Sequence, residues 1–299
     1  MKKILIITSS FDKTVDYIVE KYNQTALFFR FNVDCFDCYN IVICNSGWEI
    51  SCKQWKIQKN ELYSIYYRKP VLPRLEGFYP RYRAMIAKDI LSIVNGIADA
   101  FEGKVLTKPF SLRRAENKVC QLLYASEHSF LIPDSCIGND MSYVAQIDGE
   151  KIIKPIAVGK VVHEKNIEIY PTMFFRPINE SVAQTPIYIQ KYICKKYEAR
   201  LTFINGKMFA VRIDSEDKVD WRRNYAGNKY CEIEVPQNII RNCINMMSDF
   251  DIIFGAFDFI INNRDEWIFL EVNPNGQWLW LECALEIPIS NEIISYLVG

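Results

Sequence analysis

Three oxygen-bearing side chains near the C-terminal end of the chain are spaced as ligands. Asp258 lies in the apolar run Phe257-Asp-Phe-Ile-Ile261, and after Asn263-Arg-Asp-Glu266 the chain returns as Trp267-Ile-Phe-Leu-Glu271-Val-Asn273. An unpaired carboxylate in such a strand is costly, so a cation is expected to meet Asp258. Side chains two apart on a strand share a face, so Glu271 and Asn273 point together and a hairpin brings Asp258 beside them. Two carboxylates and an amide, with positions left open, form a hard-oxygen donor set suited to Mg²⁺ bridging phosphates. The same spacing fits a half-exposed hairpin satisfied by water or arginine, and spacing alone does not choose between the two.

The segment Asp258 … Glu271-Val-Asn273-Pro-Asn275-Gly276 resembles the metal motif of the ATP-grasp superfamily, an Asp on one strand and Glu-x-Asn on the next. Other residues follow that superfamily's order over roughly residues 110 to 280. The resemblance implies ATP and Mg²⁺ as cofactors, with two ions and Mn²⁺ as a possible substitute. It implies Lys118 and Lys154 as phosphate contacts and Gln190-Lys191-Tyr192-Ile193 as the hinge that reads the adenine edge. It also implies Glu198 as the ribose-binding acid and Arg200 as an arginine near the γ-phosphate. Where the superfamily carries a glycine-rich loop over the phosphates, Ala157-Val-Gly-Lys160 has only Gly159, a weak match.

Three further segments, Ile65-Tyr-Tyr-Arg68-Lys69-Pro70, Val219-Asp-Trp-Arg222-Arg223 and Glu271-Val-Asn-Pro-Asn-Gly-Gln-Trp278, resemble the peptide-modifying ATP-grasp ligases, the graspetide macrocyclases of microviridin type. That resemblance implies an ATP-dependent ligase acting on a precursor peptide with a leader and an acidic core. It would phosphorylate Asp or Glu side chains and close intramolecular ω-ester or ω-amide bonds. Alternatives are a ligase that adds an amino acid to a peptide or protein carboxylate, and a silent ATP-binding regulator. Arg212, Arg222 and Arg223 are candidate holders of acidic side chains, Arg212 and Arg222 first, although any one arginine also reads as part of a solvated face. A homodimer is implied by the resemblance only.

These residues need elements to position them. The expected class is α+β: an N-terminal α/β domain over 1–109, then two α+β subdomains over 110–186 and 187–299, the last bearing the metal site. Apolar patterning predicts a β-α-β opening from Lys3–Thr8, Asp12–Lys21 and Ala26–Phe31, then helices over Arg81–Phe101 and Ser111–His128, with Ser111 as cap. Strands are expected at Ser142–Ile147, Lys151–Ile156, Ile187–Ile193, Leu201–Ile204 and Met208–Ile213, with turns at Asp148-Gly149 and Asn205-Gly206. A helix over Pro236–Phe250 precedes strands at Gly255–Ile261 and Trp267–Val272.

Composition excludes other classes. Lys plus Arg and Asp plus Glu are 36 each in 299 residues, so the overall balance calls for neither nucleic acid nor an anionic membrane. The apolar start Ile4–Ile7 is too short for a signal sequence, no stretch reaches the roughly 20 apolar residues of a membrane helix, and a cytoplasmic protein is expected. The 10 cysteines read as free thiols; Cys35, Cys38, Cys44 and Cys52 lack the spacing of a zinc ribbon. With 2 histidines, neither beside a nucleophile, and no Gly-x-x-x-x-Gly-Lys run, a hydrolase triad and a P-loop are disfavoured.

Overall fold

Four consecutive apolar residues, Ile4 to Ile7, are fully buried, as a strand covered on both faces must be. They belong to β1 (Lys2–Thr8), which leads into α1 (Lys13–Lys21) through Asp12, whose carboxylate caps the helix by accepting from the Thr14 and Val15 N–H groups. The structure, a computed structural model, describes residues 1–157, 160–163, 166–176, 185–223 and 227–299, with backbone alone for 160–163, 166–169 and 223.

The first unit continues with β2 (Ala26–Asn32), β3 (Asn40–Cys44), β4 (Gly47–Ser51), β5 (Lys56–Gln58), β6 (Ser64–Tyr67), α2 (Pro80–Asp99) and β7 (Lys104–Leu106). A parallel sheet runs β2-β1-β6-β7, and β3, β4 and β5 make a separate antiparallel one. Alternation along β1 sends Leu5 and Ile7 into a core with Ile90, Val94 and Ile97 of α2, while Ile4 and Ile6 face the other way.

The middle of the chain supplies α3 (Pro109–Glu116), α4 (Lys118–Glu127), β8 (Ser135–Gly138), α5 (Met141–Ala145), β9 (Lys151–Lys154), β10 (Lys160–His163), β11 (Asn166–Ile169), β12 (Met173–Phe174) and β13 (Ile187–Lys191). The remainder adds β14 (Lys195–Ile204), β15 (Lys207–Asp214), β16 (Lys229–Glu232), α6 (Gln237–Asp249), β17 (Phe254–Asn262), β18 (Trp267–Asn273), α7 (Leu279–Leu285) and α8 (Ile289–Val298). The arrangement is the expected α+β mixture. An antiparallel sheet in the order β16-β15-β14-β17-β18 dominates the last unit. Asn205 and Gly206, at φ 51° and 77°, make the tight turn between β14 and β15. One face of this sheet buries Ala199, Leu201, Phe203, Phe257 and Phe259 against Ile239, Cys243 and Met246 of α6.

The structure departs from the expected elements at three places. The helix expected from Ser111 to His128 is two helices: Pro109 opens α3, and Asn117, with non-helical φ −72° and ψ 111°, ends it and caps α4 through the Val119 and Cys120 N–H groups. Ser111 is no cap; its buried hydroxyl donates to Asp251 at 2.9 Å. The strand expected over 142–147 is instead the short helix α5, because Asp140 accepts from the Ser142 N–H at 2.9 Å and starts a helical turn. The unit boundary expected at 186/187 cuts through a sheet, since β13 pairs with β8 and β9 in the order β12-β9-β13-β8. The phosphate-covering loop expected around Gly159 lies outside the described residues.

The chain ends by returning to its beginning. Ile293 and Leu297 of α8 join Ile4, Ile6, Tyr66 and Leu106 in one core, and the Ser64 hydroxyl donates to the Leu297 carbonyl at 2.7 Å. Each such aliphatic burial contributes about 1.5–3 kcal/mol. Glu282 of α7, only 6% exposed, ties this region together: it accepts from Lys21 and Tyr17 of α1, both at 2.7 Å, and from the Ser290 N–H at 2.7 Å. Burial pushes its carboxyl up, but Lys21, Ser290 and Tyr17 outweigh that and hold it below the ordinary value. A carboxylate depressed in the folded state stabilises fully above its unfolded value, about 4.3, and loses that contribution as pH falls through the lower folded value. Glu282→Gln is therefore expected to cost about 1–3 kcal/mol at pH 7 in denaturant titrations, with the gap to wild type closing below pH 4.

Candidate functional site

On the face of the large sheet opposite its aromatic core, three charged residues form a row. Arg200 of β14 registers with Asp258 of β17, and Asp258 registers with Glu271 of β18. Directly opposed residues share a face, so the three side chains must meet. A bulge after Asp258 leaves Leu270 as the extra residue of β18, which keeps Phe259 opposite Phe269 while Glu271 stays beside Asp258. Arg200 Nη1 donates to both Asp258 oxygens, at 2.8 and 2.9 Å, and both residues are buried. Arg222 Nη2 adds bonds to Asp258 at 2.7 Å and Glu271 at 3.3 Å. Arg222 is delivered by the short 3₁₀ turn Trp221–Arg223, which starts where Asp217 accepts from the Val219 and Asp220 N–H groups and Asp220 accepts from that of Arg222.

Asn273, two residues beyond Glu271, accepts from the Asn275 N–H at 3.1 Å and turns the chain into Pro274–Trp278. Arg68, at the end of β6, receives this segment. It is 1% exposed and donates to the Asn275 carbonyl and side chain, both at 2.8 Å, to the Gly276 carbonyl at 3.2 Å and to Gln277 Oε1 at 2.5 Å. From the other side Arg200 Nη2 reaches the Gln277 carbonyl at 3.4 Å. Gly276 is squeezed between: a Cβ there would lie 2.7 Å from Arg200 Nη2 and 2.8 Å from the Ala256 Cβ.

A cavity of about 580 Å³ adjoins the row, lined by Lys118, Lys154, Gln190, Glu198, Asp258 and Glu271 among others. Lys118 is the first residue of α4; Gln121, one turn on, clamps that helix to the open edge of β18 by exchanging hydrogen bonds with the Val272 backbone at 2.8 and 2.9 Å. Lys118 Nζ thereby lies 3.7 Å from Glu271 and donates to the Pro155 carbonyl at 2.7 Å. Lys154 ends β9; burial pulls its ammonium down to about 8, although Glu271 acts in the opposite sense. Burial would raise Glu271, but Arg222, Lys118, Lys154 and Arg200 prevail and hold its carboxyl well below the usual range.

Of the hinge residues, the N–H groups of Lys191 and Tyr192 already donate to the Asp134 and Glu150 carbonyls at 2.8 Å. Ile193 lines the cavity, and its N–H has no backbone partner among the described residues. Gln190 Oε1 and Glu198 Oε2 are buried acceptors without hydrogen-bond partners among the described residues. Burial lifts Glu198 to about 7 against the pull of Lys195, 3.2 Å away.

The site fits a magnesium nucleotide. Five cations, Lys118, Lys154, Lys191, Lys218 and Arg222, line the cavity against four carboxylates, Glu198, Asp220, Asp258 and Glu271, and burial favours the neutral form of Glu198, so the balance is positive and suits a polyanion. The orphaned acceptors of Gln190 and Glu198 suit donors on a ribose and base. Asp258, Glu271 and Asn273 offer oxygen donors alone, a set that suits Mg²⁺. Arg212 does not join the site. It registers with Ala199, on the aromatic-core face of β14, where it pairs with Asp214 at 2.6 Å and stacks over Tyr197 at 4.1 Å. The Arg223 side chain lies outside those described. Asp220, Gln121 and Lys69 carry no assignment from the sequence: Asp220 and Lys69 sit in segments marked by the family resemblance, while nothing local marks Gln121.

No protein-family model matches the chain, and no curated protein matches it. Solved structures resemble it over its whole length. Macrocyclase MdnC of Microcystis aeruginosa MRC, bound with precursor peptide MdnA, is 22% identical with a TM-score of 0.87, covering 99% of each chain. A RiPP-associated ATP-grasp ligase of Chryseobacterium gregarium, in complex with ADP and a leader and core peptide, is 23% identical with a TM-score of 0.86, over 100% of this chain and 95% of that one. Macrocyclase MdnB of Microcystis aeruginosa MRC is 25% identical with a TM-score of 0.85, over 100% and 99%. The chain therefore has the fold of these ligases. In this setting Gly276→Ala is expected to cost about 1–3 kcal/mol of stability and, by displacing Arg200, to weaken Mg²⁺-ATP binding about tenfold in calorimetry. Gly77→Ala, with no atom within 4 Å of the added carbon, should do neither.

Proposed function

We propose that this protein is an ATP-dependent ligase that joins Asp or Glu side chains of a ribosomally made precursor peptide to Thr, Ser or Lys side chains of the same peptide. The products are ω-ester or ω-amide rings. The observation that carries this reading is the row Arg200–Asp258–Glu271, crossed by Arg222, with a lysine-lined cavity beside it. Full-length likeness to macrocyclases, one bound with its precursor peptide, supports the peptide as substrate.

Mg²⁺-ATP supplies the phosphoryl group that turns a side-chain carboxylate into an acyl phosphate, whose phosphate is then displaced by the acceptor hydroxyl or amine. The residues of this chain bind and orient. Lys118 and Lys154 place point charges on the phosphates, Gln190 and Glu198 accept from the nucleoside, and the Ile193 N–H meets the base. Asp258, Glu271 and Asn273 would hold Mg²⁺, as one ion or two, with Mn²⁺ as a substitute. Arg200, buried and donating from Nη1 to both Asp258 oxygens, fixes that carboxylate. Arg222, 41% exposed along its side chain, is able to leave the carboxylates and grip an acidic side chain of the peptide. No described helix is long and apolar enough to cross a membrane. A homodimer belongs to the same reading and rests on the resemblance alone; the cytoplasm is the expectation from composition.

Mass spectrometry of a Thr-, Lys- and Glu-rich precursor incubated with the protein, ATP and Mg²⁺ is expected to find the loss of one water for each ring closed. Asp258→Asn and Glu271→Gln should each lower turnover about 10³-fold with circular dichroism unchanged. An unchanged mass overturns the reading, and a gain equal to an amino-acid residue points instead to a ligase that extends a carboxylate.

A further inference from the structure

Lys69 follows the buried Arg68 and precedes Pro70, and its φ is 44°. Left-handed backbone is uncommon for a residue with a side chain, and a following proline disfavours helical conformations further. The cause lies next door. Arg68 is locked under the Asn275–Gln277 segment, so β6 cannot run on, and the chain must swing aside at Lys69. Strain held in place by its surroundings gathers where a side chain has to be aimed. Here the swing brings Lys69 to the wall of a second cavity.

That cavity, about 880 Å³, is distinct from the nucleotide-sized one but meets it along Trp221, Arg222 and Glu271. Lys118 and Lys154 line only the first; Lys69, Lys13 and Asn273 line only the second. Phe11 and Trp280 give the second cavity an aromatic wall, as a peptide chain would require. Its other cations are occupied: Arg200 by Asp258 at 2.8 Å, Arg222 by Asp258 at 2.7 Å and Lys13 by Asp16 at 3.2 Å. Lys69 is half-buried and forms neither an ion pair nor a hydrogen bond among the described residues. Asp12, on the same wall, is spent on capping α1 and on Thr8 and Arg68. Burial first, and then the Arg68 charge, lower the Lys69 ammonium to about 8; Asp12 and Glu116 act in the opposite sense without bonding to it.

Resting on the ligase reading above, we propose that Lys69 is a specificity-determining residue that binds the side-chain carboxylate of the peptide's Asp or Glu in the second cavity and holds it toward Arg222 and Glu271. A carboxylate is favoured over a nucleotide phosphate because the lysines placed for phosphate line the other cavity. The ammonium is an isolated point charge, so it selects for charge and tolerates either Asp or Glu.

The test compares binding of a fluorescein-labelled Thr-, Lys- and Glu-rich peptide with that of its Glu→Gln counterpart, by anisotropy, and measures Mg²⁺-ADP binding in parallel. Wild type is expected to prefer the Glu peptide about tenfold, Lys69→Met to lose that preference, and Lys69→Arg to keep most of it. Lys69→Gly suits the left-handed backbone, so it should lose the preference without losing thermal stability. Mg²⁺-ADP affinity should stay unchanged in all three. Retained preference in Lys69→Gly, or weakened Mg²⁺-ADP binding instead, overturns the role of Lys69 and leaves the ligase reading standing. Absence of any Glu preference in wild type overturns both.

Discussion

A guanidinium shut away from water joins the two halves of the site. Arg68 comes from the first unit, and nearly everything it bonds, Asn275, Gly276 and Gln277, comes from the last. Its Nη1 and Nη2 donors are satisfied, its Nε faces Asp12 at 3.8 Å without a hydrogen bond among the described residues, and breaking such a buried arrangement typically costs about 3–5 kcal/mol. The bonded carbonyls in turn fix the segment on which Arg200 rests, and Arg200 fixes Asp258. Two sequence segments more than two hundred residues apart, Tyr66–Pro70 and Pro274–Trp278, are thus two sides of one hydrogen-bonded object.

The electrostatics follow from burying more positive than negative charge in one cleft. Every cation there disfavours its like neighbours, and Lys154 is drawn down by burial with Lys118 and Arg222 adding to the effect. Glu271 is driven the other way, its carboxylate held ionised against burial by four cations. Such an arrangement is under tension until an anion arrives. Binding energy then goes partly into relieving repulsion already present, which favours a highly charged ligand over a neutral one of the same shape.

Legibility in the sequence depends on period and local chemistry. The bulge at Leu270 that sets the register with Phe259 is not legible, but Glu271 and Asn273, two apart at the end of an apolar strand, and Asp258 within the preceding one are legible as a shared face from their spacing. The N-terminal β-α-β opening is equally plain. Register is not. Arg212 is one residue away from the position opposite Arg200, and that single step sends it to the other face, a fact no local signal encodes. Asn117 and Asp140 carry cap signals that apolar patterning overrides, merging two helices in one case and suggesting a strand in the other. The place of β13 in the central sheet is set by β8 and β9, far away in sequence. Neither Arg68 nor Gln121 looks buried in the sequence, because what buries each is a distant backbone.

The return of α8 to the first sheet has a meaning for how the chain is made. Synthesis runs from the N-terminus, and domains ordinarily fold as they emerge. Here β1, β6 and β7 are available early, yet the face formed by Ile4, Ile6 and Leu106 is covered by Ile293 and Leu297. Val15 and Ile18 of α1 join this face at once, but the part that Ile293 and Leu297 cover waits for the intervening two hundred or so residues. The core of the first sheet is therefore completed only when α8 arrives, so its stability belongs to the whole described chain and not to the first unit alone.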